Sequence, residues 1–217
     1  AARRLCSAFH LRADWWLAEV EGQVVSSLLC YPLTFGLPDG TVVGGYGLGS
    51  VGTLESARKK GYASALCSHV CQSAEEDGRR VGLLFAAVNP SIYYRLGFRE
   101  GTACKHSCSD PAAFAASGAQ ADVFALNPWK QWRQLAELYR FRHRDSLYLA
   151  RDEEAWARTF HRMAEHDVWF GIGRAGELDG YMRLSIWDDG LSVSELCVRD
   201  TTLCIGALRS AAMIAQQ

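Results

Sequence analysis

Apolar and polar positions set a clear alternation at the start of the chain. In WWLAEVEGQVVSSLLCY, residues 15–31, aromatic and β-branched residues flank a polar break at Glu21-Gly22, which predicts a hairpin. A Pro/Gly-rich loop, PLTFGLPDG, then leads through Val42 and Val43 into a strand ending near Thr53. Tyr62, Leu66 and Val70 recur every fourth residue, with Ala63, Cys67 and Ala74 beside them. That period predicts an amphipathic helix ending before Gly78. The apolar run VGLLFAAV, residues 81–88, predicts a buried strand, and a helix between two strands implies a parallel crossover. A short helical piece over 91–96, a turn at Gly97-Phe98 and a strand near Cys104 follow, and the weakly patterned residues 109–121 read as a loop or linker.

From Pro128 the pattern begins again. Trp129, Trp132, Leu135, Leu138 and Tyr139 form a helical stripe, and DEEAWARTFHRMAEH predicts a second helix with acidic residues in its first turn. VWFGIGRAGELDGYMRLSIW predicts a hairpin turning at Gly176 to Gly180; LSVSELCV is a further strand and residues 207–215 a closing helix. The order helix, helix, hairpin, strand, helix repeats that of the first half without its initial helices. This predicts an α/β protein of two tandem units, residues 1–122 and 123–217, each a mixed twisted sheet flanked by helices.

Charge and composition narrow the partners. With 23 basic and 24 acidic residues the formal net charge is −1, so nothing global favours nucleic acid or an anionic membrane. No apolar run approaches the roughly 18 residues of a membrane span. The basic stretch RFRHR, residues 140–144, reads as a solvated helix end near the C-terminal dipole. Eight cysteines in a long aliphatic chain read as reduced thiols, which points to the cytoplasm. Cys67 with Cys71, and Cys104, His106 and Cys108 alternating on a strand, each share a face, but their spacing is not that of a zinc knuckle and no metal is expected. The start, AARRLCSAFH, lacks Met and reads as a cut into a longer protein.

Two phosphate-binding patterns overlap in GLGSVGTLESARKKGYASAL, residues 47–66. Gly47, Gly49 and Gly52 spell the dinucleotide fingerprint G-x-G-x-x-G, while Arg58, Gly61 and Ala63 spell R-x-x-G-x-A. The fingerprint must turn straight from strand to helix and needs an acidic residue at the end of the next strand. That strand ends at Asn89, and a helix starting near Thr53 would hold Gly61 in its interior at a cost of about 1 kcal/mol. A helix starting at the Arg58-Lys59-Lys60-Gly61 loop instead points free backbone N–H groups at one spot, with glycine allowing close approach of an anion. A solvated basic turn is the bland alternative. Glycines in the preceding GSVGT also suggest a ligand alongside the backbone. Tyr93 and Tyr94 follow the adjacent parallel strand, beyond whose carboxyl end ligands lie in open α/β sheets.

SVGTLESARKKGYASAL and NPSIYYRLGF together resemble the GNAT superfamily of acetyl-CoA-dependent N-acetyltransferases. Val51 and Thr53 match its V-x-[VT] strand, Arg58, Gly61 and Ala63 its [QR]-x-x-G-x-[GA] loop, and Tyr93, Gly97 and Phe98 its Y-x-x-x-G-F. Glu55 stands where many members have proline. More loosely, the paired helices, the Arg151 and Trp156 spacing and the hairpin of the second half resemble the enhanced-intracellular-survival type, in which two GNAT domains precede a sterol-carrier-like domain.

The resemblance implies acetyl transfer to a primary amine of a small molecule or peptide. It implies a main-chain N–H near Val51 for the thioester carbonyl, residues Arg58, Lys59, Lys60, Gly61, Tyr62, Ala63 and Ser64 for the pyrophosphate, Val51, Thr53 and Asn89 lining the acetyl-CoA site, and Tyr93 as general acid. A phenol suits that task because its ordinary pKa of about 10 lies near that of a thiol. Tyr94 is expected to be the structural member of the pair. No general base stands out; Asp14, Glu19 and Glu21 read as solvated charges of a surface hairpin. Lacking R-x-x-G-x-A after LSVSELCV, the second half is not expected to bind a cofactor. A homo-oligomer is compatible with this type, and the alternative reading is a non-catalytic GNAT-like binding or scaffold module.

Overall fold

The computed structural model describes residues 2–6, 13–86, 90–101, 105–162, 165–174, 176–188 and 190–216. Strand β1 (Ala2–Cys6) pairs antiparallel with β2 (Asp14–Val20), and β2 with β3 (Gln23–Gly36). The hairpin turn is Glu21-Gly22, with φ of 50° and 80°, the left-handed pair that a two-residue turn requires. β3 is longer than the expected strand and runs through PLTFG, leaving only residues 37–41 as loop. Among the described residues β2 pairs with β3 only as far as Cys30, short of Pro32.

β4 (Val42–Thr53) pairs antiparallel with β3, and helix α1 (Tyr62–Glu76) crosses to β5 (Val81–Leu84), which lies parallel to β4. The predicted crossover is present, but β5 stops four residues before the expected end. Phe85 is outside the strand and 92% exposed, while residues 87–88 lie outside the described residues. After helix α2 (Ser91–Arg95), Gly97 takes φ 89° at the turn into Phe98. The strand expected near Cys104 falls on residues that are not described; His106 and Cys108 are exposed and outside any strand. Leu28, Cys30, Tyr46 and Leu48 from the sheet pack with Leu66, Cys67, Val70 and Cys71 of α1, the core that the four-residue period predicts.

The chain divides into two compact units, residues 1–103 with 147–150, and residues 104–146 with 151–217. In the second, residues 109–121 are not all loop. Asp110 caps helix α3 (Pro111–Ala116), its carboxylate accepting from the Ala113 N–H at 2.9 Å, with Pro111 at the first helical position. Strand β6 (Val123–Ala125) and helix α4 (Pro128–His143) follow, the latter capped by Asn127. Strand β7 (Tyr148–Leu149) belongs to the first unit, where it pairs with Phe35 and Gly36.

Helix α5 (Glu153–Arg162), strands β8 (Asp167–Arg174), β9 (Glu177–Trp187) and β10 (Gly190–Val198), and helix α6 (Leu203–Ile214) complete the second unit. β9 resumes at Glu177, so the hairpin turns earlier than expected. The sheet order is β10-β9-β8-β6, and every described pairing in it is antiparallel, where a mixed sheet was expected. A parallel pair needs a crossover such as β4-α1-β5; the order β8-β9-β10 runs through tight connections instead. One sheet face packs on α6 through Ile172, Met182, Leu184 and Val198 against Ala207 and Ala211. The other carries Trp169 and Tyr181, with Trp169 edge-on to Phe160 of α5. Among the described residues no helix is long and apolar enough to cross a membrane.

Candidate functional site

The two overlapping glycine patterns part company in the structure. Gly47, Gly49 and Gly52 all lie inside β4, so the strand-to-helix turn of a dinucleotide fingerprint is absent there. Two of these glycines make room for neighbouring side chains. A Cβ on Gly47 would stand 3.1 Å from Leu33 Cδ1, and one on Gly49 3.0 Å from Tyr31 Cε2. The expected close approach of a ligand is therefore left only to Gly52, whose nearest neighbour would be Ser27 Oγ at 3.9 Å.

The end of β4 is built irregularly. Gly52 pairs with Ser27 and Gly49 with Leu29, so Ser50 and Val51 together oppose the single residue Leu28. This is a β-bulge, and Ser50 takes φ 50° within it. Among the described residues β4 and β5 pair only from Gly45↔Val81 to Leu48↔Leu84, so β4 runs on past its parallel neighbour. Buried Ser26 holds this end in place: its hydroxyl donates to Gly52 O at 2.7 Å and lies 3.1 Å from Thr53 Oγ1. Neither Ser26 nor the bulge was foreseen. Only the flanking glycines of G-S-V-G hint at it.

A 3-10 turn, Glu55–Ala57, follows, closed by the Arg58 N–H donating to Glu55 O at 3.2 Å. Glu55 in place of proline thus still turns the chain. Arg58 Nε reaches back to Thr53 O at 3.4 Å, and Lys59 and Gly61 take φ of 62° and 83°. Gly61 is the N-cap of α1 and provides no side chain, so nothing from the cap covers the N–H groups of Tyr62, Ala63 and Ser64. Asn127 and Asp110, by contrast, spend their side chains on the starts of α4 and α3. The first turn of α1 carries no acidic residue, and Arg58, Lys59, Lys60 and Gly61 are all exposed. A Cβ on Gly61 would meet nothing within 4 Å, which leaves open space over the helix start. The cradle fits an anion by charge, by donor count and by room.

Tyr93 is half-buried. It packs against the core cluster that also receives Val51, and meets Phe98 edge-on at 6.3 Å between ring centroids. Phe98 is held edge-on to Tyr46, and both lie over Gly82, where a Cβ would stand 2.9 Å from each ring. Burial, and then the nearby Cys67, raise the Tyr93 phenol above its ordinary range and keep it protonated. The division of labour between the tyrosines is not the expected one. Tyr94 is exposed and donates to Glu100, whereas Tyr93 is the one tied into the core. The helical period explains this, since in a five-residue helix adjacent side chains point about 100° apart. Asn89 lies outside the described residues.

The shared-face thiols Cys67 and Cys71 are both buried on α1. Among the described residues no three His, Cys, Asp or Glu side chains gather as metal ligands. Burial and then Cys71 push the Cys67 thiol from 9.0 up to about 11. The native state therefore keeps a proton that the unfolded chain releases, and this group's contribution to stability, complete below pH 9.0, is lost as pH rises toward about 11. Urea midpoints measured from pH 8 to 11 are expected to fall across that window, and less steeply in Cys67→Ala. An unchanged slope in the variant would contradict the assignment.

Comparison with known families covers the segment that carries this site. Residues 4–101 match the family described as acetyltransferase (GNAT) domain. No curated protein matches the chain. Among solved structures, a conserved protein of unknown function from Enterococcus faecalis V583, a probable N-acyltransferase, is 12% identical with a TM-score of 0.71 over 94% of this chain and 54% of its own. A GCN5-related N-acetyltransferase from Kribbella flavida is 18% identical with a TM-score of 0.70, covering 93% and 50%. Eis1 from Mycobacterium abscessus is 19% identical with a TM-score of 0.59, covering 93% and 52%. At these identities the likeness is one of fold, and the chain spans about half the length of each. The stretch from residue 4 to residue 101 is similar to the acetyltransferase domain of the GNAT type.

Proposed function

We propose that the first unit transfers an acetyl group from acetyl-CoA to a primary amine of a small molecule or peptide. The observation that carries this reading is the start of α1: an uncapped helix N-terminus, opened by Gly61 at φ 83° and preceded by Arg58, Lys59 and Lys60. In a chain with formal net charge −1, that concentration of donors and cations is local and suits a pyrophosphate. Val51 and Thr53 lie on the end of β4 that runs past β5, where a bulge withdraws backbone N–H groups from the ladder. A main-chain N–H there serves to stabilise a developing oxyanion. Tyr93, protonated and half-buried, is the proton donor to the departing thiolate. Bound acetyl-CoA would supply an activated acyl group; the residues of this chain hold it, exclude water and deliver the proton.

The second unit is proposed as a GNAT-like domain without a cofactor site, so that the chain has the tandem, enhanced-intracellular-survival arrangement. The support lies after β10, where no glycine opens α6. Instead the Asp200 carboxylate accepts from the Thr202 N–H at 2.8 Å, placing a negative charge where a phosphate would have to sit.

The Gly61→Asp substitution tests the first reading. It forces a side chain into the left-handed region, at a cost of about 1–2 kcal/mol, and sets a carboxylate over the free N–H groups. CoA affinity measured by calorimetry is expected to drop at least tenfold. Unchanged affinity in a folded variant would remove the loop from the site.

A further inference from the structure

We propose that the second unit holds an anion site of its own kind, unrelated to the start of α1: a pocket for a small organic anion, an apolar body carrying a carboxylate or phosphate head. A cavity of about 360 Å³ opens between α4 and the sheet. That is within the usual range of small-ligand pockets, about 300–1,000 Å³. Its floor is apolar, made by Phe124 of β6 and Leu178 of β9, and its wall is Lys130, Gln131, Arg133 and Gln134 of α4. No acidic side chain is among these residues.

Three features make this a built site rather than a gap. First, neither cation has a carboxylate partner among the described residues: the ion pairs of this unit engage Arg144, Arg151, Arg158, Arg183 and Arg199 but neither Lys130 nor Arg133, whose guanidinium lies 4.9 Å from the Trp132 ring centroid and keeps its charge. Lys130 and Arg133, three residues apart on one helix face, project together. Second, the polar wall offers donors. The Gln131 side-chain oxygen accepts from the Asn127 N–H at 3.2 Å, which leaves its amide N–H groups for a ligand. Third, the floor is positioned by a glycine. A Cβ on buried Gly171 of β8 would stand 2.4 Å from Phe124 Cζ and 2.8 Å from Leu178 Cδ1, so both side chains lie over Gly171 only because it has none. Donors and cations above an apolar floor recognise a ligand that is negative at one end and apolar at the other; a neutral analogue would lose the charge-assisted hydrogen bonds.

The test is fluorine NMR of the intact protein with 4-(trifluoromethyl)phenyl phosphate, 4-(trifluoromethyl)benzoate and neutral 4-(trifluoromethyl)benzamide as probes. One or both anions are expected to bind saturably and the amide at least tenfold more weakly. The Lys130→Ala/Arg133→Ala pair changes only exposed side chains, so the fold is retained, and it should weaken the anions at least tenfold. Gly171→Ala keeps both cations and displaces the floor; it should weaken the same probes severalfold. Equal binding of the amide, a change of less than twofold in the double variant, or no saturable binding would overturn the site. So would loss of anion binding in Gly61→Asp with the double variant unaffected, because the probe would then be seated at the start of α1.

Discussion

Tyr93→Phe is expected to lower turnover by about 10²-fold or more while leaving CoA affinity nearly intact. The phenyl ring keeps its edge-on contact with Phe98 and its place against the core, so the fold has little reason to change. What is lost is a hydroxyl held protonated by burial, the group proposed to neutralise the thiolate. Tyr94→Phe removes an exposed hydroxyl bonded to Glu100 and is expected to change turnover less than about threefold. Thiol release from acetyl-CoA, measured with an amine that the wild type accepts, separates the two. Small and equal effects in both variants would take Tyr93 out of the chemistry and leave water as the proton source.

Glu195→Ala should destabilise the second unit by about 3–5 kcal/mol, as the removal of one member of a buried ion pair does. Arg151 donates to both Glu195 oxygens, at 3.0 and 2.7 Å, and the two side chains are only 14% and 10% exposed. The Tyr181 hydroxyl donates to the same carboxylate, and the guanidinium lies 4.1 Å from the Tyr139 ring centroid and 4.8 Å from that of Trp156. Truncating Glu195 leaves a cation and a phenol buried without their acceptor. Replacing both partners, as Arg151→Met/Glu195→Leu, is expected to recover most of the loss, since no uncompensated charge remains. Urea unfolding followed by tryptophan fluorescence measures both. A Glu195→Ala loss below 1 kcal/mol would mean that water reaches the pair.

The elements that the chain announced are those whose period one buried face imposes. α1 was legible because Leu66, Cys67, Val70, Cys71 and Ala74 all face the sheet, and the Glu21-Gly22 turn because two residues with positive φ leave few choices. The start of α1, proposed to hold the pyrophosphate, was legible for a local reason too: Gly61, at φ 83°, answers a backbone requirement that no other residue meets cheaply. α3 was missed because PAAFAA offers small residues with no polar face for contrast, and it is Asp110, Pro111 and packing on α6 that make it a helix.

Amphipathic period, turn chemistry and the glycine at the start of α1 were determined by the sequence alone, because each is written in residues within a few positions of one another. Register was not. In β4 the bulge at Ser50 and Val51 depends on which residues of β3 lie opposite, and that bulge shapes the end of the strand beside the proposed acyl site. In β10 a second register shift, between Val193 and Glu195, does more. Val193 packs on the α6 side with Leu196 and Val198, while Glu195 turns to the opposite face and meets Arg151 from 44 residues away. A strict two-residue alternation would have put Glu195 on the same face as Val193. Pairing between distant strands chooses where the extra residue goes, so the partner of Glu195 was decided by tertiary structure.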